Sequence, residues 1–120
     1  MSDKPVAERL QVKNGRRLAI IDAPAAVDRA IGAARAKPEA ADVVLAFARN
    51  GAELKKQFAG LLKTPQTAIL WLAYPKLTSK LAGDLNRDVI HDAAPAHGLE
   101  VVSQIAIDDD WSAMRLKRAG

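Results

Sequence analysis

Three stretches of the chain are apolar without interruption: Leu18-Ala19-Ile20-Ile21, Val43 to Ala48, and Ala68 to Ala73. A strand with one wet face alternates apolar and polar residues. Short unbroken runs suit strands covered on both faces, as in a parallel sheet sandwiched between helices. Helical patterns lie between these runs. Pro24 occupies a first-turn position, with Val27, Ile31 and Ala34 behind it on one face. Asn50 followed by Glu53 predicts a capping box, with Leu54, Phe58, Leu61 and Leu62 as the buried stripe and Lys55, Lys56 and Gln57 in water. A third helix is expected to open at Ser79 and close before Gly98, with Ala82, Leu85, Val89 and Ala93 inward and Pro95 breaking its last turn.

After Gly98, Val101, Ser103, Ile105 and Ile107 alternate with other residues, as in a more exposed strand. Asp108-Asp109-Asp110 marks a turn into a last strand with Met114 and Leu116 inward and Arg115 and Lys117 outward. The order β-α-β-α-β-α-β-β predicts one α/β domain, three-layered and Rossmann-like, of about five strands. The sheet is expected to be mostly parallel with an antiparallel C-terminal strand. The domain is assigned to residues 15–120, with residues 1–14 as a flexible N-terminal arm.

Composition removes several classes of function. No apolar run is long enough to span a membrane, and the opening Met1-Ser2-Asp3-Lys4-Pro5 has no apolar core for export, so a cytoplasmic address is expected. With no cysteine there is no disulfide, thiolate nucleophile or zinc-thiolate site. The pI of 9.6 invites nucleic acid. Its excess, however, sits towards the ends, in Arg9, Lys13, Arg16, Arg17, Arg115, Lys117 and Arg118. Binders of nucleic acid gather charge on one face and stack bases on aromatic rings, and most of the five aromatics here read as core. A solvated surface and frayed termini are the expected origin of the charge.

The stretches Lys13 to Pro24, Asp42 to Phe47, Leu70 to Lys76 and Asp110 to Ala113, with Asp84 and Arg87 in Asp84-Leu85-Asn86-Arg87-Asp88-Val89, resemble a bacterial family of small domains of unknown function. That family is similar to the C-terminal half of class I S-adenosylmethionine-dependent methyltransferases plus their first strand. The resemblance implies a Rossmann-like sheet and covers roughly residues 10–118. The cofactor's glycine-rich turn is missing, because that position reads Asp22-Ala23-Pro24-Ala25. Only glycine lets the backbone approach such a ligand closely. Direct pairing of the first strand with Val43–Phe47 would also leave no switch point and no second strand to carry a ribose-binding acid. No cofactor is expected.

Other chemistry is thinly supported. The glycines are too scattered for a phosphate-binding loop, and no serine has the flanking glycines of a hydrolase elbow. Asp84, Arg87, Asp88 and His91 would share one helical face, either as ligands for a divalent metal or as the solvated back of a helix. The solvated back is the expected reading, so no metal is assigned. His97 reads as a helix-terminal cation, and Asp108–Asp110 as a turn rather than a calcium loop.

The best candidate site is Tyr74-Pro75-Lys76-Leu77-Thr78-Ser79-Lys80, which leaves a central strand at its carboxyl end and enters a helix. Free amides at that helix start, the Ser79 hydroxyl, Lys76 and Lys80 could hold a small anion. Asp22 and Asn50 lie in loops expected on the same edge. The plain alternative is a capped helix entry with two lysines in water. One charge near a helix end contributes only about 0.3–1 kcal/mol, so a ligand needs several groups to converge. The favoured function is a non-enzymatic binding or interaction domain for a small anionic ligand or a protein partner. The alternatives are an enzyme with a remnant cofactor pocket using Asp22, Tyr74 and Lys76, and a module pairing with a second copy through an exposed edge strand or Trp111.

Overall fold

In the computed structural model, which describes residues 4–119, the apolar runs become three adjacent parallel strands. These are β1 (Leu18–Ile21), β2 (Val43–Phe47) and β3 (Ile69–Pro75). Strands β4 (Leu99–Ala106) and β5 (Trp111–Arg118) form the C-terminal hairpin. The sheet order is β1-β2-β3-β5-β4, with β5 antiparallel to both neighbours. The first strand therefore pairs directly with β2, as expected, and the fold is the predicted mixed α/β sheet.

Alternation along each strand divides the core in two. Val44, Ala46, Leu70, Leu72, Met114 and Leu116 face one side, where they meet Phe58 and Leu61 of helix α3 (Gly51–Leu61) and Ile90 of helix α4 (Arg87–Ala93). Val43, Leu45, Phe47, Trp71 and Ala113 face the other, against Leu10 and against Ile31 of helix α2 (Ala25–Ile31). Helices on both faces explain why the strands carry no polar alternation.

The segment expected as a flexible arm is instead docked from residue 4 to residue 12, while residues 1–3 lie outside the described residues. Helix α1 (Val6–Arg9) places Leu10 fully in the core, and the Leu10 carbonyl accepts a 2.9 Å hydrogen bond from Trp71 Nε1. A buried indole N–H must find a partner, and this chain segment supplies it. Two of the cations near the chain ends, Arg9 and Arg118, are likewise held by the fold. Arg9 donates to the Ala106 carbonyl at 2.6 Å. Arg118 donates to the carbonyls of Leu61, Thr64, Pro65 and Gln66 at 2.9–3.3 Å. One guanidinium from β5 thus ties down the end of α3 at Leu61 and the loop that follows it.

The third helix differs most from expectation. Residues 76–86 are irregular, and α4 begins only after Asn86, whose side chain accepts from Val89 N–H at 3.0 Å. A 3-10 turn, Ala94–His97, follows and ends on Gly98 at φ +75°. Ile90 and Ala94 point inward, while Ala82 is exposed and Val89 is 40% exposed. Helix α2 also stops early, so Ala34 lies beyond it and is exposed.

Residues 4–12 should thus contribute to global stability. Leu10→Ala is expected to lower the unfolding free energy by about 2–5 kcal/mol, read from urea denaturation. A loss within about 0.5 kcal/mol, as at a surface position, would restore the arm.

Candidate functional site

The carboxyl edge of the parallel strands carries two clefts, one lined by paired charges and the other with an excess of cations. The first lies at the ends of β1 and β2. Asp22 follows β1 at φ +60°, the left-handed conformation that glycine would adopt most easily and that aspartate tolerates better than most residues. Its carboxylate accepts from Gln57 Nε2 at 2.8 Å and pairs with Lys56 Nζ at 3.5 Å. Gln57 was expected in water, yet it is buried. Its second amide proton goes to the Phe47 carbonyl at 2.8 Å, so one side chain ties α3 to two strand ends. Arg49 pairs with Glu53 at 3.3 Å, reaches the Asp22 carbonyl at 3.3 Å and lies 5.9 Å over the Trp111 ring. This cleft, about 310 Å³, is lined by charges already engaged with one another.

Asn50 borders it as a structural residue. Its Oδ1 accepts from Glu53 N–H at 2.9 Å and so caps α3, while Glu53 Oε1 accepts from Arg49 N–H at 2.9 Å. The expected capping box is present with its return bond shifted by one residue.

The second cleft, about 470 Å³, opens between the end of β3, the start of α4 and β5. Tyr74 and Lys76 line it from β3 and its exit, Arg87 and Asp88 from α4 with its cap Asn86, and Ser112 from β5. Tyr74 and Ser112 are register partners across β3 and β5, so they share a face and their hydroxyls hydrogen-bond. Burial pushes the Tyr74 phenol above its usual 10.0. The nearby Arg87 guanidinium and the Ser112 bond pull it back in part. Among the described residues, neither the Lys76 ammonium nor the Arg87 guanidinium takes part in a salt bridge or a hydrogen bond. Two cations and one carboxylate, Asp88, line this concave site without salt bridges among the described residues, in contrast with the mutually paired charges of the cleft at Asp22.

The expected site residues are therefore distributed. Tyr74 and Lys76 share the second cleft, Asp22 lines the first, and Asn50 serves as a cap. Ser79 lies in the irregular segment rather than at a helix start. Its hydroxyl donates to Asp110 Oδ1 at 2.8 Å and accepts from Leu81 N–H at 3.0 Å. The helix amides invoked for an anion there do not exist, and Lys80 is exposed outside both clefts. Trp111 is also unavailable for pairing with a second copy, being 2% exposed and packed edge-on against Phe47 at 5.0 Å. Arg87, Asn86 and Ser112 were missed as site residues. Their signal lay in the stretches Leu70–Lys76, Asp84–Val89 and Asp110–Ala113, which meet around this one cleft.

The chain has a single tyrosine, so phenolate absorbance reports Tyr74 alone. Its native titration midpoint is expected above 10, higher than in urea, and higher still in Arg87→Ala. The protonated phenol is favoured by the fold, so its contribution to stability is complete below pH 10 and falls as pH rises through the native midpoint. A native midpoint equal to the denatured one would contradict the buried placement.

Among the described residues no helix is long and apolar enough to cross a membrane. No curated protein matches the chain in sequence. Two solved structures are similar in fold at low identity. One is a ribosomal protein L11 methylase from Lactobacillus delbrueckii subsp. bulgaricus, with TM-score 0.48, 12% identity, and coverage of 88% of this chain and 59% of that one. The other is LepI in complex with SAM, with TM-score 0.54, 9% identity, and coverage of 94% and 39%. The chain thus spans less than two thirds of either protein. A family model described as "Protein of unknown function (DUF3052)" matches residues 11–120, so the chain belongs to the DUF3052 family.

Proposed function

We propose that this domain binds a small anionic ligand in the Tyr74–Lys76–Arg87 cleft and performs no chemistry on it. The carrying observation is the pair of cations, Lys76 and Arg87, that line one cleft without ion-pair partners. With Asp88 on the same wall the cleft keeps a net positive charge, and a bound carboxylate or phosphate is stabilised by both cations. Asn86 and Ser112 add neutral hydrogen-bonding groups to the same walls. Tyr74 enters the site as a neutral hydroxyl rather than as a base. Its ionisation is displaced away from neutrality, the reverse of what a general base near pH 7 requires.

The enzyme reading keeps one argument, the fold likeness to LepI, whose structure holds SAM. Against it, Asp22 sits in a different cleft from Tyr74 and Lys76, with its carboxylate engaged by Gln57 and Lys56. The two readings therefore predict different variants to be sensitive.

A thermal-shift series with inorganic phosphate, small carboxylates and S-adenosylmethionine separates them. An anion present at 100 times its Kd adds about 2.7 kcal/mol, a shift of several degrees in a domain of this size. The expected result is a shift with an anion that is abolished by Lys76→Ala and by Arg87→Ala and retained in Asp22→Ala. A shift with S-adenosylmethionine alone, abolished by Asp22→Ala, would establish the enzyme reading instead. No shift with any anion would remove the binding proposal.

A further inference from the structure

The anion cleft does not end at Arg87. A second hollow, about 400 Å³, continues along the groove between α4 and the β4–β5 hairpin, and Arg87, Asp88 and Gln104 line both. The two hollows form one elongated site whose character changes along its length. At the β3 end are Lys76, Thr78 and Asn86. At the far end are Val101, Val102, the buried Met114 and the exposed imidazole of His91. Val102 is 47% exposed, an apolar side chain left open at the groove.

The junction carries the discriminating group. Among the described residues the Asp88 carboxylate has no salt bridge or hydrogen bond, and it stands beside Arg87 where the two hollows meet. A free carboxylate there repels a long polyanion and accepts hydrogen bonds from hydroxyl groups. A carboxylate receiving a ribose hydroxyl is a general device for nucleotides in α/β folds. Beyond it, a flat π-face can rest on aliphatic side chains and an imidazole, while Gln104 and Ser103 offer donors and acceptors to its edge. One anionic group, then a hydroxyl-bearing link, then a planar apolar body describes a nucleoside monophosphate.

We propose that the ligand of this site is a ribonucleoside 5′-monophosphate. Its phosphate lies at Lys76 and Arg87, its ribose at Asp88 and its base against Val101, Val102 and His91. This inference rests on the anion-binding reading above and extends it to the ligand's class.

Calorimetric titration of the full chain with inorganic phosphate, adenosine and the four ribonucleoside 5′-monophosphates tests both steps. At least one monophosphate is expected to bind about tenfold or more tightly than either fragment, as a hydrogen bond to a charged group allows. Asp88→Ala is expected to act in opposite directions, weakening the nucleotide by about tenfold and leaving phosphate unchanged or tighter, because a neighbouring negative charge is gone. His91→Ala and Gln104→Ala, both at exposed positions, should weaken the nucleotide only. If no monophosphate binds more tightly than phosphate, or Asp88→Ala strengthens both alike, the nucleotide assignment is overturned while the anion site stands. If neither phosphate nor any nucleotide binds, the anion site fails and the assignment falls with it.

Discussion

The structure depends on β3 being hydrogen-bonded along both edges. It pairs in parallel with β2 and antiparallel with β5, so it is the strand at which the sheet changes from one pairing to the other. Both faces are covered as well: Leu70, Leu72 and Tyr74 enter one core, and Trp71 and Ala73 the other. A strand in that position has no wet face and no free edge. Its only outlet is its carboxyl end, where Pro75 stops the parallel pairing and Lys76 N–H turns to the Asp110 carbonyl at 2.8 Å. The cleft sits at that outlet because β3 ends where the antiparallel hairpin begins, and neither partner strand covers the gap.

This constraint also explains the contrast between the two clefts. At the end of β1 and β2 the chain closes on itself. Asp22 takes a left-handed backbone where a glycine-rich turn would run in a cofactor-binding relative, and its carboxylate is pinned by Gln57 from α3. Space at that end is filled with mutually neutralising charge. At the end of β3, α4 is short and starts late, so Arg87, Asp88 and Lys76 line one gap, and among the described residues none of the three is engaged in a salt bridge. The irregular segment before α4 is tied back by Lys76 N–H and Ser79 to Asp110, by Gly51 N–H to Asp84 Oδ2 at 3.3 Å, and by the buried Leu85.

Much of the sheet was legible in the chain because burial on both faces suppresses polar residues. The runs at 18–21, 43–48 and 68–73 became β1, β2 and β3 within a residue or two at each end. The hairpin followed from its alternation and its three aspartates. What failed was the segment from Ser79 to Asn86. Ser79 resembles a cap and Ala82, Leu85 and Val89 have helical spacing, but of these three Ala82 and Val89 are exposed and Leu85 alone is buried. Spacing reports which residues could share a face, not whether another element stands opposite to cover it. The true start was written in Asn86, which has the same extended cap geometry as Asn50, φ −152° in both. Gln57 was unreadable for a different reason: its value lies in a strand-end carbonyl and an aspartate far away in sequence, which no local pattern records. The same holds for Arg87, whose importance comes from meeting Lys76 across the cleft.

The most direct test of the anion cleft is a two-dimensional amide NMR titration of the uniformly labelled chain with inorganic phosphate. The account predicts that saturable shift changes gather on residues 74–78, 86–88 and 112, and that residues 22–23 and 49–56 stay still. Changes centred on Asp22 and Lys56, or small unsaturable changes spread over surface lysines, would contradict it.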